Sequence, residues 1–232
     1  MLTQRTNDES VEIIRRYKDR LARWVSEPDD GQSHAINKGI ERTDREIVAY
    51  LNSDDYYLHG AFETAVAALE GGGASWVAGG AFDVQEGDPP KRLRVWRPKP
   101  PSYFEGRFGG RHWWMLVPWH VPQPSSFWRH ALFDRFGAFR LDMHYAFDAE
   151  FMLRLAFEEE LPELLPDSFV SVRSVHPEQK TYGMTNSWPE IRRFVDIYSP
   201  RLTPRERIRM RLSRVSRAAT PVAWVRWRVM QP

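Results

Sequence analysis

"EIVAYLNSDDYYLHG", residues 46–60, is the stretch that decides how the chain is read. It begins apolar, like a buried strand, and ends in Asn52, Ser53, Asp54 and Asp55. Adjacent carboxylates at the mouth of a strand repel each other unless a cation or a proton compensates, so by themselves they add nothing to folding. In an α/β sheet, ligands bind beyond the carboxyl ends of the strands, where these acids fall. A divalent ion that takes a few protein oxygens and completes its shell with phosphate oxygens fits such a place. The alternative is that Asp54 and Asp55 cap a helix beginning near Tyr57. Both readings stand on this stretch alone.

Upstream, "ESVEIIRRYKDR" (9–20) sets Val11, Ile14 and Tyr17 at helical spacing behind Asn7 and Asp8 as caps. "ARWVSE" (22–27) predicts a short strand, and "PDDGQSHAINKGIERT" (28–43) a turn feeding a helix with Ala35, Ile36 and Ile40 on one face. Downstream, "AFETAVAALEGGG" reads as a helix stopped by glycines. "ASWVAGGAFDV" (74–84) and "KRLRVWRP" (91–98) read as strands separated by a Gly-Asp-Pro turn. Residues 98–124, dense in Pro, Gly and Trp, have the length of a functional loop. Helices are predicted over 125–137 and 146–160, and a strand at "SFVSVRSV" (168–175). Alternating strands and helices predict an α/β layer whose sheet is mostly parallel at the start.

At 232 residues with 42% hydrophobic and 13% aromatic content, the chain fits one large domain, alone or with an appendage. It contains no cysteine, which excludes disulfides and thiolate zinc sites, so any metal must sit on oxygen or imidazole. No apolar run is long enough to cross a bilayer and no leader pattern stands at the N-terminus, which predicts a cytoplasmic protein. The formal charge of +2 is unevenly placed. Residues 201–232 hold nine Arg and one Glu, a net +8, which leaves −6 on residues 1–200. Basic character belongs to the tail.

A second acidic element lies in "HYAFDAEFMLRL" (144–155), where Asp148 starts a helix whose Phe147, Phe151 and Leu155 face the core and Glu150 follows two residues on. A carboxylate at a helix N-terminus can stay ionised and accept a proton from a hydroxyl. It can equally be an ordinary acid complementing the helix dipole.

These stretches, with "QPSSFWRHALFDRFGAF" (123–139) and "HPEQKT" (176–181), resemble in order the family 2 glycosyltransferases. Those enzymes have a GT-A fold and use nucleotide-sugar donors. The resemblance implies an α/β, Rossmann-like mixed sheet flanked by helices over residues 1–200, lacking the family's first βα unit, followed by a basic amphipathic helical tail over 201–232. It implies Asp54, with Asp55 and His176, as ligands of Mg2+ or Mn2+, and Asn52 beside them where many relatives carry an acid. Asp29, Gly31, Gln32, Asn37 and Lys38 match the segment that lines the donor pocket. Asp148 matches the catalytic base. Gln123, Ser125, Trp119, Glu150 and Lys180 are the acceptor-side candidates, with Ser126 beside them. Ser125 is equally a helix cap, and the Trp-rich run 112–120 equally core.

The activity so implied is metal-dependent, inverting transfer of a sugar to a glycan or lipid-linked acceptor in cell-surface polysaccharide synthesis. The missing first unit would leave strand 22–27 or 46–52 with an unpaired edge. That keeps open a catalytically silent module that binds glycan or protein. In the tail, Ile208, Leu212 and Val215 lie at helical spacing among Arg, followed by Pro221, Trp224 and Trp227. It reads either as a peripheral contact with an anionic membrane at its inner face or as a helix folded back on the acidic body. Nucleic acid is the weakest partner, because the basic residues concentrate in one segment.

Overall fold

In the computed structural model, residues 2–3, 9–87, 89–99, 121–180, 186–205 and 207–208 are described. Trp119, the rest of the 112–120 aromatic run and tail residues 209–232 lie outside them.

The elements run β1 (Leu2–Thr3), α1 (Ser10–Arg16), β2 (Val25–Ser26), α2 (Gln32–Glu41), β3 (Ile47–Val48), β4 (Tyr56–Tyr57), α3 (Ala61–Gly72), β5 (Trp76–Gln85) and β6 (Lys91–Trp96). They continue with β7 (Ser126–Arg129), α4 (Ala131–Phe136), α5 (Phe147–Phe157), β8 (Glu163–Ser174) and α6 (Ser187–Tyr198). β5 is the axis of the main sheet. Its first six residues are all buried, as expected of a strand covered on both faces. The order is β3-β7-β5-β8-β4, with β6 added to the second half of β5.

Within that sheet only β5 and β8 run parallel, and every other described pair is antiparallel. The sheet is therefore mixed, and of the mostly parallel start expected from the alternation only the β1–β2 pair forms among the described residues. β2 is not left bare. It pairs in parallel with β1 as a separate two-stranded sheet, while β3 pairs with β7.

Period-two alternation sorts the side chains of β5 and β7 into two cores. Trp76, Ala78 and Trp128 join the larger cluster with Phe133, Phe151, Leu155 and Phe194. Val77 and Phe127 face α3 with Ala61, Ala65 and Leu69. The same alternation explains a correction: residues 126–129, expected as helix, form β7, because Phe127 and Trp128 serve opposite faces of the sheet. Only Ala131–Phe136 of that stretch is α-helical.

Gly79 and Gly80 hold the sheet's main irregularity. The register of β5 on β8 jumps from Gly79 opposite Leu165 to Gly80 opposite Phe169. A Cβ on Gly79 would stand 2.8 Å from the Ser168 carbonyl oxygen and 2.9 Å from a Val170 methyl. The bulge brings the C-terminal ends of both strands into line, so that Asp83 lies opposite Arg173 and Val84 opposite Ser174.

Candidate functional site

The acids of the opening stretch do not cap a helix. After β3 the chain turns, with Asp55 N donating to Asn52 O at 3.2 Å, and then enters β4. The next helix begins only at Ala61. The turn lies against the end of β8, because Tyr56 pairs with Val172.

The two neighbours have different surroundings. Asp55 is 7% exposed; its Oδ1 accepts from Ser174 N at 3.1 Å and its Oδ2 from Asn52 Nδ2 at 3.1 Å. Burial, with the Asp54 charge beside it, pushes its carboxyl up to about 6. Asp54 is half-buried and places Oδ2 at 3.0 Å from His176 Nε2. On the far side of that ring, Nδ1 lies 3.3 Å from Glu178 Oε2. Asp54 first, and Glu178 second, raise the imidazole above its ordinary range.

A relay of side chains leads away from this pair. Asn52 Oδ1 accepts from Gln32 Nε2 at 2.7 Å, and Gln32 Oε1 accepts from Lys180 Nζ at 3.0 Å. The Lys180 ammonium sits over the rings of Tyr145 and Phe147, at 5.2 and 5.8 Å. Burial lowers its affinity for the proton, while the charges of Glu190 and Asp148 oppose that shift.

Asp148 is in the first turn of α5, where Oδ1 accepts from Ala149 N at 2.7 Å. Burial pushes its carboxyl above the usual carboxylate range, against that bond and the charges of Lys180 and Arg173. Asp55 also feels Arg173. Tyr50, whose ring lies 6.1 Å from that of Phe147, has its hydroxyl raised well above its ordinary range by burial and by the charges of Asp148 and Asp55. The acids from the two ends of the sequence thus share one electrostatic environment.

Gln32, Asn52, Asp54, Asp55, His176, Lys180 and Asp148 are brought together. Other sequence candidates are taken up by the scaffold. Asn37 is buried and both donates to Phe139 O at 2.8 Å and accepts from Phe139 N at 3.0 Å, so it fastens α2 to the segment before α5. Lys38 Nζ reaches Pro28 O at 2.7 Å and Glu27 at 3.1 Å. Asp29 Oδ1 accepts from Gly31 N at 2.9 Å and shapes the turn in which Gly31 adopts φ +116°. Ser125, fully buried, does not cap a helix but bonds Gly80 O at 2.8 Å and Ser171 Oγ at 2.6 Å. Its neighbour Ser126 is buried and donates to Pro122 O at 3.2 Å. Gln123 Nε2 donates to Tyr50 O at 2.7 Å.

Glu150 is a correction to the acceptor set. It is 1% exposed, with Arg154 Nη2 at 2.7 Å and Tyr198 Oη at 2.6 Å, because position 150 of α5 turns into the larger core. The sequence reading missed Tyr50, Arg173 and Glu190. Arg173 had a signal, a polar Ser171–Arg173 alternation inside an apolar strand. Tyr50 and Glu190 had none.

Among the described residues, no group of three or more His, Asp or Glu converges to hold a metal. The 3.0 Å between Asp54 Oδ2 and His176 Nε2 nevertheless equals the separation of neighbouring ligands on an octahedral ion with bonds of about 2.1 Å. Such an ion would draw the rest of its shell from a ligand and water, as magnesium commonly does. Among the described residues, no helix is long and apolar enough to cross a membrane.

Residues 4–135 match the family described as Glycosyl transferase family 2; that range contains Asp54 and Asp55 and ends before Asp148. Two uncharacterized glycosyltransferases of Mycobacterium tuberculosis, from strains CDC 1551 / Oshkosh and ATCC 25618 / H37Rv, are each 31% identical over 153 residues. That alignment covers 65% of this chain and 54% of theirs, so the chain spans about half the length of the curated relatives it matches. Among solved structures, S. aureus TarS 1-349 in complex with UDP-GlcNAc is similar with a TM-score of 0.59 and 15% identity, over 84% of this chain and 56% of that one. A mannosyltransferase from Pyrobaculum calidifontis in complex with GDP-Man and Mn2+ is similar with a TM-score of 0.55 and 14% identity, over 99% and 73%. At such identities these likenesses bear on the fold, which is the GT-A-like mixed sheet flanked by helices.

Proposed function

Because the chain belongs to glycosyl transferase family 2, we propose that it moves a sugar from a nucleotide-sugar donor to an acceptor hydroxyl with inversion at the anomeric carbon. One observation carries the reading: Asp148 and the Asp54–Asp55 turn share Tyr50 and Arg173, although they are far apart in sequence.

Asp148 is the base. It takes the proton of the acceptor hydroxyl as that oxygen bonds to the anomeric carbon, and the bond from that carbon to the diphosphate oxygen breaks on the opposite face. A carboxyl raised by burial holds its proton more tightly than an exposed one, which favours the transfer, while the charges of Lys180 and Arg173 oppose that shift. Asp54 and His176 would hold Mg2+ or Mn2+, which supplies charge neutralisation to the diphosphate when bound. Gln32 and Lys180 border the same space, and Lys180 adds a positive charge near the departing group. Gln123 supports the wall by holding the Tyr50 carbonyl. The acceptor, a glycan or lipid-linked glycan of the cell surface, is proposed from the family reading. So are the division into a catalytic domain over 1–200 and a tail over 201–232, and a peripheral membrane contact through that tail.

Titration calorimetry with UDP and with GDP, each with and without Mn2+, tests the reading on the wild type and Asp54→Ala. One nucleotide should bind the wild type, and binding should weaken by about tenfold or more when Mn2+ is withheld or Asp54 is replaced. Equal binding in all conditions would remove the metal from the proposal, and no nucleotide binding at all would remove the donor.

A further inference from the structure

Glu190 begins α6, yet its carboxylate serves another segment. Oε1 accepts from His144 N at 2.7 Å, and Oε2 accepts from Tyr145 N and from Ala146 N at 2.8 Å each. Three successive amides aimed at one point form a concave anion site, and here the chain itself supplies the anion. The residue is 9% exposed, so these bonds are shielded from water. Ala146, which precedes α5, has no side-chain oxygen to cap that helix. Glu190, 44 residues away, holds the amide of Ala146 itself and so fixes the chain at the point where it enters the helix.

The same face of α6 holds two more points of the segment. Arg193 donates to Asp142 O at 2.8 Å and to Asp142 Oδ2 at 2.6 Å, and Tyr198 donates to Glu150 Oε1 at 2.6 Å. Between these contacts, Ile191 and Phe194 are buried in the larger core and anchor the helix. Residues 142–150 are thus gripped at three places, and Asp148 lies between the second and the third. The donor-side machinery meets this brace only through the charge that Glu190 exerts on Lys180. The fixed backbone of 144–146 serves the acid that follows it.

We infer that Glu190 is a positioning residue for the proposed base: its carboxylate fixes the backbone of 144–146 and so the direction in which Asp148 leaves the first turn of α5. This rests on the reading of Asp148 as the base. A misplacement of a reacting group by about 1 Å can cost on the order of a hundredfold in rate. Glutamine is a demanding replacement, because it keeps one acceptor oxygen but turns an NH2 toward amides that need an acceptor.

The test compares wild type, Glu190→Gln and Glu190→Asp in the full chain. It measures turnover of UDP-GlcNAc and GDP-Man with Mn2+, nucleotide affinity by calorimetry, and amide exchange at residues 144–149. Glu190→Gln should lower kcat by about tenfold or more while KM for the donor and nucleotide affinity stay within about twofold, with faster exchange confined to 144–149. Glu190→Asp, which keeps the charge, should recover about a third or more of the lost kcat. Faster exchange with unchanged kcat would overturn the inference, as would an equal fall of kcat and nucleotide affinity with exchange raised throughout. Wild-type protein that binds nucleotide but turns over neither donor would overturn the reading of Asp148 and the positioning role with it, while local protection of 144–146 lost only in the variants would show that the amide clamp itself is real.

Discussion

Two regions carry paired acids, and the fold splits each pair in the same way with different means. In the turn before β4, Asp54 reaches His176 while Asp55 is buried among neutral donors, Ser174 N and Asn52 Nδ2. In the first turn of α5, Asp148 looks toward Lys180 while Glu150 is buried against a guanidinium and a phenol. The difference lies in the counter-charge. Glu150 has Arg154 at 2.7 Å and reads as a closed structural pair. Asp55 has no cation bonded to it among the described residues, so its negative charge, eased only in part by Asn52, Ser174 N and the more remote Arg173, costs free energy that a proton or a bound cation relieves. A buried acid with a matched cation belongs to the scaffold, and one without marks a place prepared for a ligand.

The largest effect that can break this comparison is at Asp148. Asp148→Asn keeps an oxygen for Ala149 N and should lower sugar transfer by about 10²–10⁴-fold, with nucleotide affinity unchanged. Full activity in a transfer assay would end the distinction between Asp148 and its neighbours. Next comes Glu150→Gln, which removes the counter-charge of Arg154 and leaves its guanidinium on the carbonyls of Phe136, Gly137 and Ala138, and should cost on the order of 1–3 kcal/mol of stability in urea unfolding. A negligible loss would show that the pair is not structural.

The smallest effect sharpens the other half. The folded-state carboxyl of Asp55 is raised to about 6, so the folded protein binds its proton where the unfolded chain has released it. Stability in metal-free buffer should therefore fall as pH rises from about 4 to about 6, by on the order of 1–3 kcal/mol, and stay low above that. Asp55→Asn removes the titrating group while keeping an acceptor for Ser174 N. It should flatten the pH profile and stabilise the protein at pH 8, as read by thermal unfolding with and without metal. Asp54→Asn, which removes the neighbouring charge that helps to raise Asp55, should shrink that profile without abolishing it, because burial remains the larger cause.

Much of the frame was legible because local patterns carry it. The 3.6-residue spacing of Phe147, Phe151 and Leu155 and the stop of α3 at Gly73 read through to the structure, while the apolar run into Asn52 is a strand only at Ile47–Val48 and is half-buried there. The 126–129 strand did not, since Ser-Phe-Trp-Arg before a helical stretch has no local reason to be extended. It becomes a strand only because β3 and β5 flank it. In the candidate site the residue types were legible, but their tasks were not. Asn37 reads as a donor contact until Phe139 meets it, and Glu190 carries no signal at all until three amides close on it.

By itself, then, the sequence determined which acids exist, that they follow a strand and begin a helix, that no thiol chemistry is available, and that the ordered motifs are those of a glycosyltransferase family. Tertiary structure decided which acid of each pair stays available: Arg154 is only four residues from Glu150, but the amide that holds buried Asp55 lies 119 residues away and the phenol that closes on Glu150 lies 48 away. Charge and spacing are local properties that a linear pattern records. Desolvation and the placement of a counter-charge are sums over whatever folding brings within a few ångströms, and no local pattern contains them.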